Sequence, residues 1–157
     1  MASATTEAGV GGDVRVSTCA VERNGDRFTL RKDAPVISYG QHCDCILVTA
    51  RRAPDAPSSD QVIVLTRKQD TDLQLNGTWD TLGMRGTCSF PFVLTALGDA
   101  AQVLPEPYAV ISARTMLPVT HILWASLWLG IASDAVSRIR SVIAQFPGRA
   151  RRHRDSS

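Results

Sequence analysis

The chain has 157 residues, 44% hydrophobic and 20% charged, a globular composition sized for one domain, or one domain and a piece of another. Its net charge of +2 is unevenly placed: from Arg138 onward six arginines face one acid, Asp155, and the remainder carries 11 basic against 14 acidic residues. The body is therefore mildly acidic, which gives no support to nucleic-acid binding.

Four cysteines stand at 19, 43, 45 and 88. Cys43 and Cys45 would share one face of a strand. Structural zinc commonly draws on two close pairs, and only one is present, so no metal site is expected. Free, buried thiols in a reducing cytoplasm are the expectation. Met1 to Gly12 is small and polar, with neither a basic n-region nor an apolar h-region, so no signal peptide is read.

The first half reads as strands. Val14, Val16, Thr18 and Ala20 alternate with Arg15, Ser17 and Cys19. Asn24-Gly25-Asp26 supplies a hairpin turn into Phe28-Thr29-Leu30, because Asn and Gly tolerate positive φ. Cys45 to Thr49 and Gln61 to Thr66 are apolar runs, separated by an exposed loop, Arg51 to Asp60, with two prolines, two serines and charges of both signs. Leu73 to Trp79 and Ser89 to Leu97 complete the set. Six short strands at this spacing predict a small antiparallel barrel or sandwich.

After Pro105 and Pro107 the period changes to that of a helix, from about 117 to 145. Leu117 to Ala132 is apolar on every side. From Ser133, Ala135, Val136, Ile139, Val142, Ile143 and Phe146 fall on one face, and Pro147-Gly148 ends the element. The fold class is thus α+β: a small antiparallel β-barrel or sandwich followed by one long helix. The all-round apolar segment fits either a membrane span or the middle of a helical bundle. At 16 residues, carrying Thr120, His121 and Ser126, it is short of the roughly 20 that a span needs. The bundle is preferred, and it requires partner helices that the chain itself does not offer.

Thr6-Glu7-Ala8-Gly9-Val10-Gly11-Gly12-Asp13 is a small-residue loop of the kind that brings backbone N–H groups close to a phosphate, or equally a disordered leader. This loop, Asn24 to Leu30, Val36-Ile37-Ser38-Tyr39-Gly40, Trp79 to Ser89 and Ser112-Ala113-Arg114 with the following Gly130-Ile131-Ala132 come in one order. Together they resemble the acyl-CoA dehydrogenase family from about Thr6 to Arg140. The loop is similar to that family's Thr-Glu-Pro-Gly-Ala-Gly-Ser-Asp. Val36 to Gly40 stands where it has Trp-Ile-Thr-Asn-Gly, and Leu82 to Ser89 resembles its Leu-Gly-x-Arg-Gly-Thr/Ser turn.

The resemblance implies a middle β-domain over 1–104 and the first helix of a C-terminal bundle over 105–146; the basic tail over 147–157 resembles nothing in the family and reads as disordered. The resemblance implies FAD as cofactor, with Thr6, Glu7 and the loop through Gly12 lining it, Ile37 and Ser38 beside the isoalloxazine, and the Ser38 hydroxyl near N5. Arg114 would face the acyl-CoA substrate. The reaction implied is α,β-dehydrogenation of acyl-CoA thioesters in fatty-acid metabolism, a carboxylate taking the α-proton while a hydride passes to the flavin.

Three departures matter. The family's loop Ser is Gly12, its Trp is Val36, and where some members carry the catalytic base this chain has Ser112 and Ala113. The only acids after Pro107 are Asp134 and Asp155. The expectation is therefore a truncated member, inactive alone, cytoplasmic, and dependent on self-association or on a partner chain for the missing bundle. The alternative is a non-enzymatic β-module tethered by its apolar helix to a membrane or a partner.

Overall fold

The computed structural model describes residues 1–145; the basic tail and the Pro147-Gly148 stop lie outside the described residues. Two compact units divide at Ser112/Ala113.

The first unit is a sandwich of two four-stranded sheets rather than a closed barrel. One sheet runs β1 (Ala2–Ala4), β4 (Cys45–Arg51), β5 (Gln61–Arg67), β8 (Val103–Pro107); the other runs β2 (Glu22–Asn24), β3 (Arg27–Ala34), β7 (Phe92–Asp99), β6 (Thr71–Leu75). All pairings are antiparallel except β1 with β4, where Ala2 lies opposite Ile46 and Ala4 opposite Val48. Alternation builds the core. β3 buries Phe28, Leu30, Lys32 and Ala34, while β7 buries Phe92, Leu94 and Ala96. These meet Ile46, Val48 and Ala50 of β4 and Val62 and Val64 of β5 in one apolar cluster. Four-residue α1 (Tyr108–Ile111) packs on β5 and β8 with Tyr108 buried.

The hairpin turn falls where expected, between β2 and β3, with Gly25 at φ +58. Three expectations are corrected. Val14 to Ala20 is not a strand, and its buried residues are Ser17 and Cys19 rather than the valines. The cause is local: the amides of Thr18 and Cys19 donate to the Glu7 carboxylate, at 2.8 Å each, and Ser17 N donates to Ser58 O. Backbone donors spent in this way cannot join a ladder. The N-terminal segment, read as a loop or leader, begins with β1. Cys43 lies ahead of β4, its Sγ donating to Gly40 O, so it does not share a strand face with Cys45.

The second unit is helical. A π-helical turn, Ser112–Met116, leads into α2, Leu117–Gln145, the span that the sequence period predicts. Its serines fold back on the helix, Ser126, Ser137 and Ser141 each donating to the carbonyl four residues earlier. Trp124 and Trp128 stack edge to face at 6.3 Å. Large apolar side chains all around α2 are exposed, Trp128 at 67% and Leu129 at 69%.

Candidate functional site

Three segments of the first unit converge: the loop after β1, the turn Val36–Gly40 after β3, and the turn Met84–Ser89 before β7. Thr6 Oγ1 donates to Val36 O at 3.2 Å. Ile37, fully buried, anchors the second segment and donates its amide to Phe90 O, and Tyr39 N donates to Thr87 O at 2.9 Å. Gly40 closes the turn where a Cβ would stand 3.0 Å from Ile37 Cγ2 and 3.2 Å from Phe92 Cε2, so a side chain there would press into the core.

Backbone strain concentrates here. Among the described residues, three non-glycine residues have positive φ, namely Tyr39, Met84 and Cys88, at +57°, +56° and +46°. All three lie in these two turns. Each costs roughly 1–2 kcal/mol, and such outliers collect at functional sites. Asn, which the resembled motif has in place of Tyr39, enters this region more readily.

A row of hydroxyls links the two turns. Ser38 Oγ lies 2.8 Å from Ser89 Oγ, Ser89 Oγ lies 2.7 Å from Thr87 Oγ1, and Thr87 Oγ1 donates to Met84 O at 2.8 Å. Ser38 is exposed and Ser89 buried. Beyond, the loop holds itself together through Trp79 Nε1 to Met84 O and Arg85 Nε to Thr81 O, and presents Leu82 and Met84 to solvent.

Glu7 does not reach this surface. It is buried against Lys32, Nζ to Oε2 at 3.1 Å, and accepts from Ser17 Oγ, Thr18 N, Thr18 Oγ1 and Cys19 N. Burial raises its pKa, but the hydrogen bonds from Ser17 and Thr18, the Lys32 charge and the Cys19 amide outweigh it and bring the value down to about 2. Lys32 spends its other two protons on Thr49 O and Oγ1, at 2.7 and 3.1 Å. Burial pushes the neighbouring Cys19 thiol up to about 11.

The structure thus brings Thr6, Ile37 and Ser38 together. Glu7 is beneath them as an internal clamp on the same loop. Gly12 is exposed on the open side of that loop, at φ +84 with nothing within 4 Å of a Cβ. Arg114 is exposed in the π-helical turn of the second unit. Sequence reasoning passes over Thr87, Ser89 and Lys32. The first two lie inside the turn motif and were open to assignment from it. The signal for Lys32 is a lysine at an inward position of β3.

No family model matches the chain, and no curated protein does. Solved structures do. An acyl-CoA dehydrogenase from Geobacillus kaustophilus superposes at TM-score 0.59 and 20% identity, over 68% of this chain and 29% of its own. A glutaryl-CoA dehydrogenase from Mycobacterium smegmatis in complex with FADH2 gives 0.53 and 20%, over 66% and 26%. A glutaryl-coenzyme A dehydrogenase in complex with glutaryl-CoA gives 0.53 and 19%, over 68% and 27%. The chain spans under a third of the length of these proteins. Over about two thirds of its own length, it has the fold of the corresponding part of acyl-CoA dehydrogenases.

Proposed function

We propose that the first unit is the flavin-binding β-domain of an acyl-CoA dehydrogenase-like protein, acting on acyl-CoA thioesters in a reducing cytoplasm. The observation that carries this reading is the strained, hydroxyl-lined junction at Ser38, set on a fold shared with flavin dehydrogenases. Its polar groups are the hydroxyls of Thr6, Ser38, Thr87 and Ser89, which suit the edge of a neutral heterocycle such as isoalloxazine. FAD, when bound, supplies the acceptor for a hydride from the acyl β-carbon. On this reading Ile37 anchors the turn from within the core, Ser38 hydrogen-bonds the ring edge, Thr6 fixes the Val36 carbonyl, and the loop through Gly12 runs toward the phosphates. Arg114 engages the thioester, and further helices, from a second copy or a partner chain, complete the bundle around α2.

The chain by itself binds FAD weakly, because Gly12 brings no hydroxyl and Val36 no aromatic face. The test is fluorescence titration with FAD, with visible absorption after gel filtration. We expect a saturable but weak complex and colourless protein after the column. Val36→Trp should tighten binding roughly fivefold, since an aromatic contact is worth about 1 kcal/mol. Absence of quenching in both proteins would overturn the flavin reading, and stoichiometric yellow protein would overturn the weakness.

One observation favours a second reading. The helix Tyr108–Gln145 is long and apolar enough to cross a membrane by length and composition. Flotation of the purified chain with neutral liposomes, with the first unit exposed to protease outside them, would support a membrane-tethered module instead.

A further inference from the structure

The hydroxyl row has a direction. Each hydroxyl carries one proton. The Met84 carbonyl can only accept, so its 2.8 Å contact with Thr87 Oγ1 is a hydrogen bond only when the Thr87 proton points to it. The 2.7 Å contact between Thr87 and Ser89 must then carry the Ser89 proton. That leaves the 2.8 Å contact between Ser89 and Ser38 to carry the proton of Ser38. Ser38 therefore turns its proton inward and shows only lone pairs to the surface. Reversal would require all three hydroxyls to turn together. It would also leave two acceptors, Thr87 Oγ1 and Met84 O, facing each other at a hydrogen-bond distance, although Met84 O would keep the Thr87 amide at 3.1 Å and Trp79 Nε1 at 3.4 Å.

We infer that the relay Ser38–Ser89–Thr87–Met84 makes Ser38 a hydrogen-bond acceptor toward its ligand, and so selects the reduced form of a flavin over the oxidised form. The inference rests on the flavin reading above. The chemistry is general: the oxidised isoalloxazine N5 is a bare acceptor and meets lone pairs with lone pairs, whereas reduction adds a proton there and makes N5 a donor. A site that binds the reduced form more tightly raises the two-electron potential of the bound cofactor above that of free FAD. A Ser38 free to rotate would serve both forms.

The experiment has two arms. In the first, low-temperature proton NMR of the full chain locates the Thr87 and Ser89 hydroxyl protons by their nuclear Overhauser contacts. The Thr87 proton is expected beside Met84 O, and its finding beside Ser89 would overturn the inference without any flavin present. In the second, oxidised and anaerobically reduced FAD are titrated separately into wild type, Ser89→Ala and Thr87→Val. Wild type should bind the reduced form about tenfold more tightly, beyond the ratio shown by the variants, which is about 30 mV for a two-electron couple. Both variants release the Ser38 proton, one by removing its acceptor and the other by leaving Ser89 free to turn toward Ser38. Each should gain affinity for oxidised FAD and lose the preference. Equal ratios in all three proteins would overturn the relay and leave flavin binding standing. Binding of neither form would overturn both.

Discussion

Lys32→Met would leave the Glu7 carboxylate buried without its cation. The side chains of this pair are 0% and 3% exposed, so solvent screening offers little relief. The pair is also fully hydrogen-bonded, with Lys32 donating to Glu7, Thr49 O and Thr49 Oγ1. Removing one partner of such a pair costs about 3–5 kcal/mol. Titration supplies a figure for the whole set of contacts around Glu7, in which the Ser17 and Thr18 hydrogen bonds outrank the Lys32 charge. The Glu7 pKa falls from 4.5 to about 2, and at 1.36 kcal/mol per unit this is about 3 kcal/mol. Because the folded-state value is depressed, this stability is present above pH 4.5 and is lost as the pH falls toward 2. Urea unfolding followed by far-ultraviolet circular dichroism, near pH 7 and near pH 3, measures both effects. Lys32→Met should lose most of its stability near neutrality and show a smaller further loss in acid, because the Glu7 pKa is no longer held down by the ammonium. The double variant Glu7→Gln with Lys32→Met should recover about 1 kcal/mol or more over the single. The amide oxygen still accepts from Thr18 and Cys19, and no charge is stranded. A Lys32→Met protein within about 1 kcal/mol of wild type, with an unchanged acid profile, would refute the view that this pair pins the N-terminal loop to the core.

The exposed apolar side chains of α2, among them Leu123, Leu127, Trp128 and Ile131, should drive self-association at working concentration. Light scattering should show oligomers that dissociate when Leu123, Leu127 and Ile131 become Gln, and a wild-type monomer would count against this. Turnover of short, medium and long acyl-CoA substrates with an artificial electron acceptor and excess FAD should be absent. Among the described residues after Pro107, Asp134 carries the one side-chain carboxylate, and it is held by Arg138 Nε at 2.7 Å. It also lies roughly 30 Å along the helix from Arg114. Turnover that disappears in Asp134→Ala would point to a base supplied by another copy. Alkylation of the native protein near pH 8 should label Cys88 and Cys45 well before Cys19, whose burial holds the thiol protonated; rapid Cys19 labelling would mean that the sandwich opens there.

The sequence alone determined the long helix, because an apolar run too long for a strand leads without a break into a 3.6-residue repeat from Ser133, and the bounds of α2 agree with it. The sequence also marked β4 and β5 as apolar runs, and the β2–β3 turn, where Asn24-Gly25 leaves the chain little choice. The motif order placed Thr6, Ile37 and Ser38 in one neighbourhood. Tertiary structure alone decided the rest. Val14 to Ala20 alternates like a strand, yet the Glu7 carboxylate claims its amides from another loop, an interaction that no local pattern records. Glu7 reads as a cofactor contact until Lys32, 25 positions away in the chain, draws it inside. The Ser38 hydroxyl becomes directional through Ser89 and Thr87, which reach it only after two sheets have closed on one core. Charge pairing and hydroxyl wiring act through space over a few ångströms, whereas sequence spacing reports neighbours along the chain.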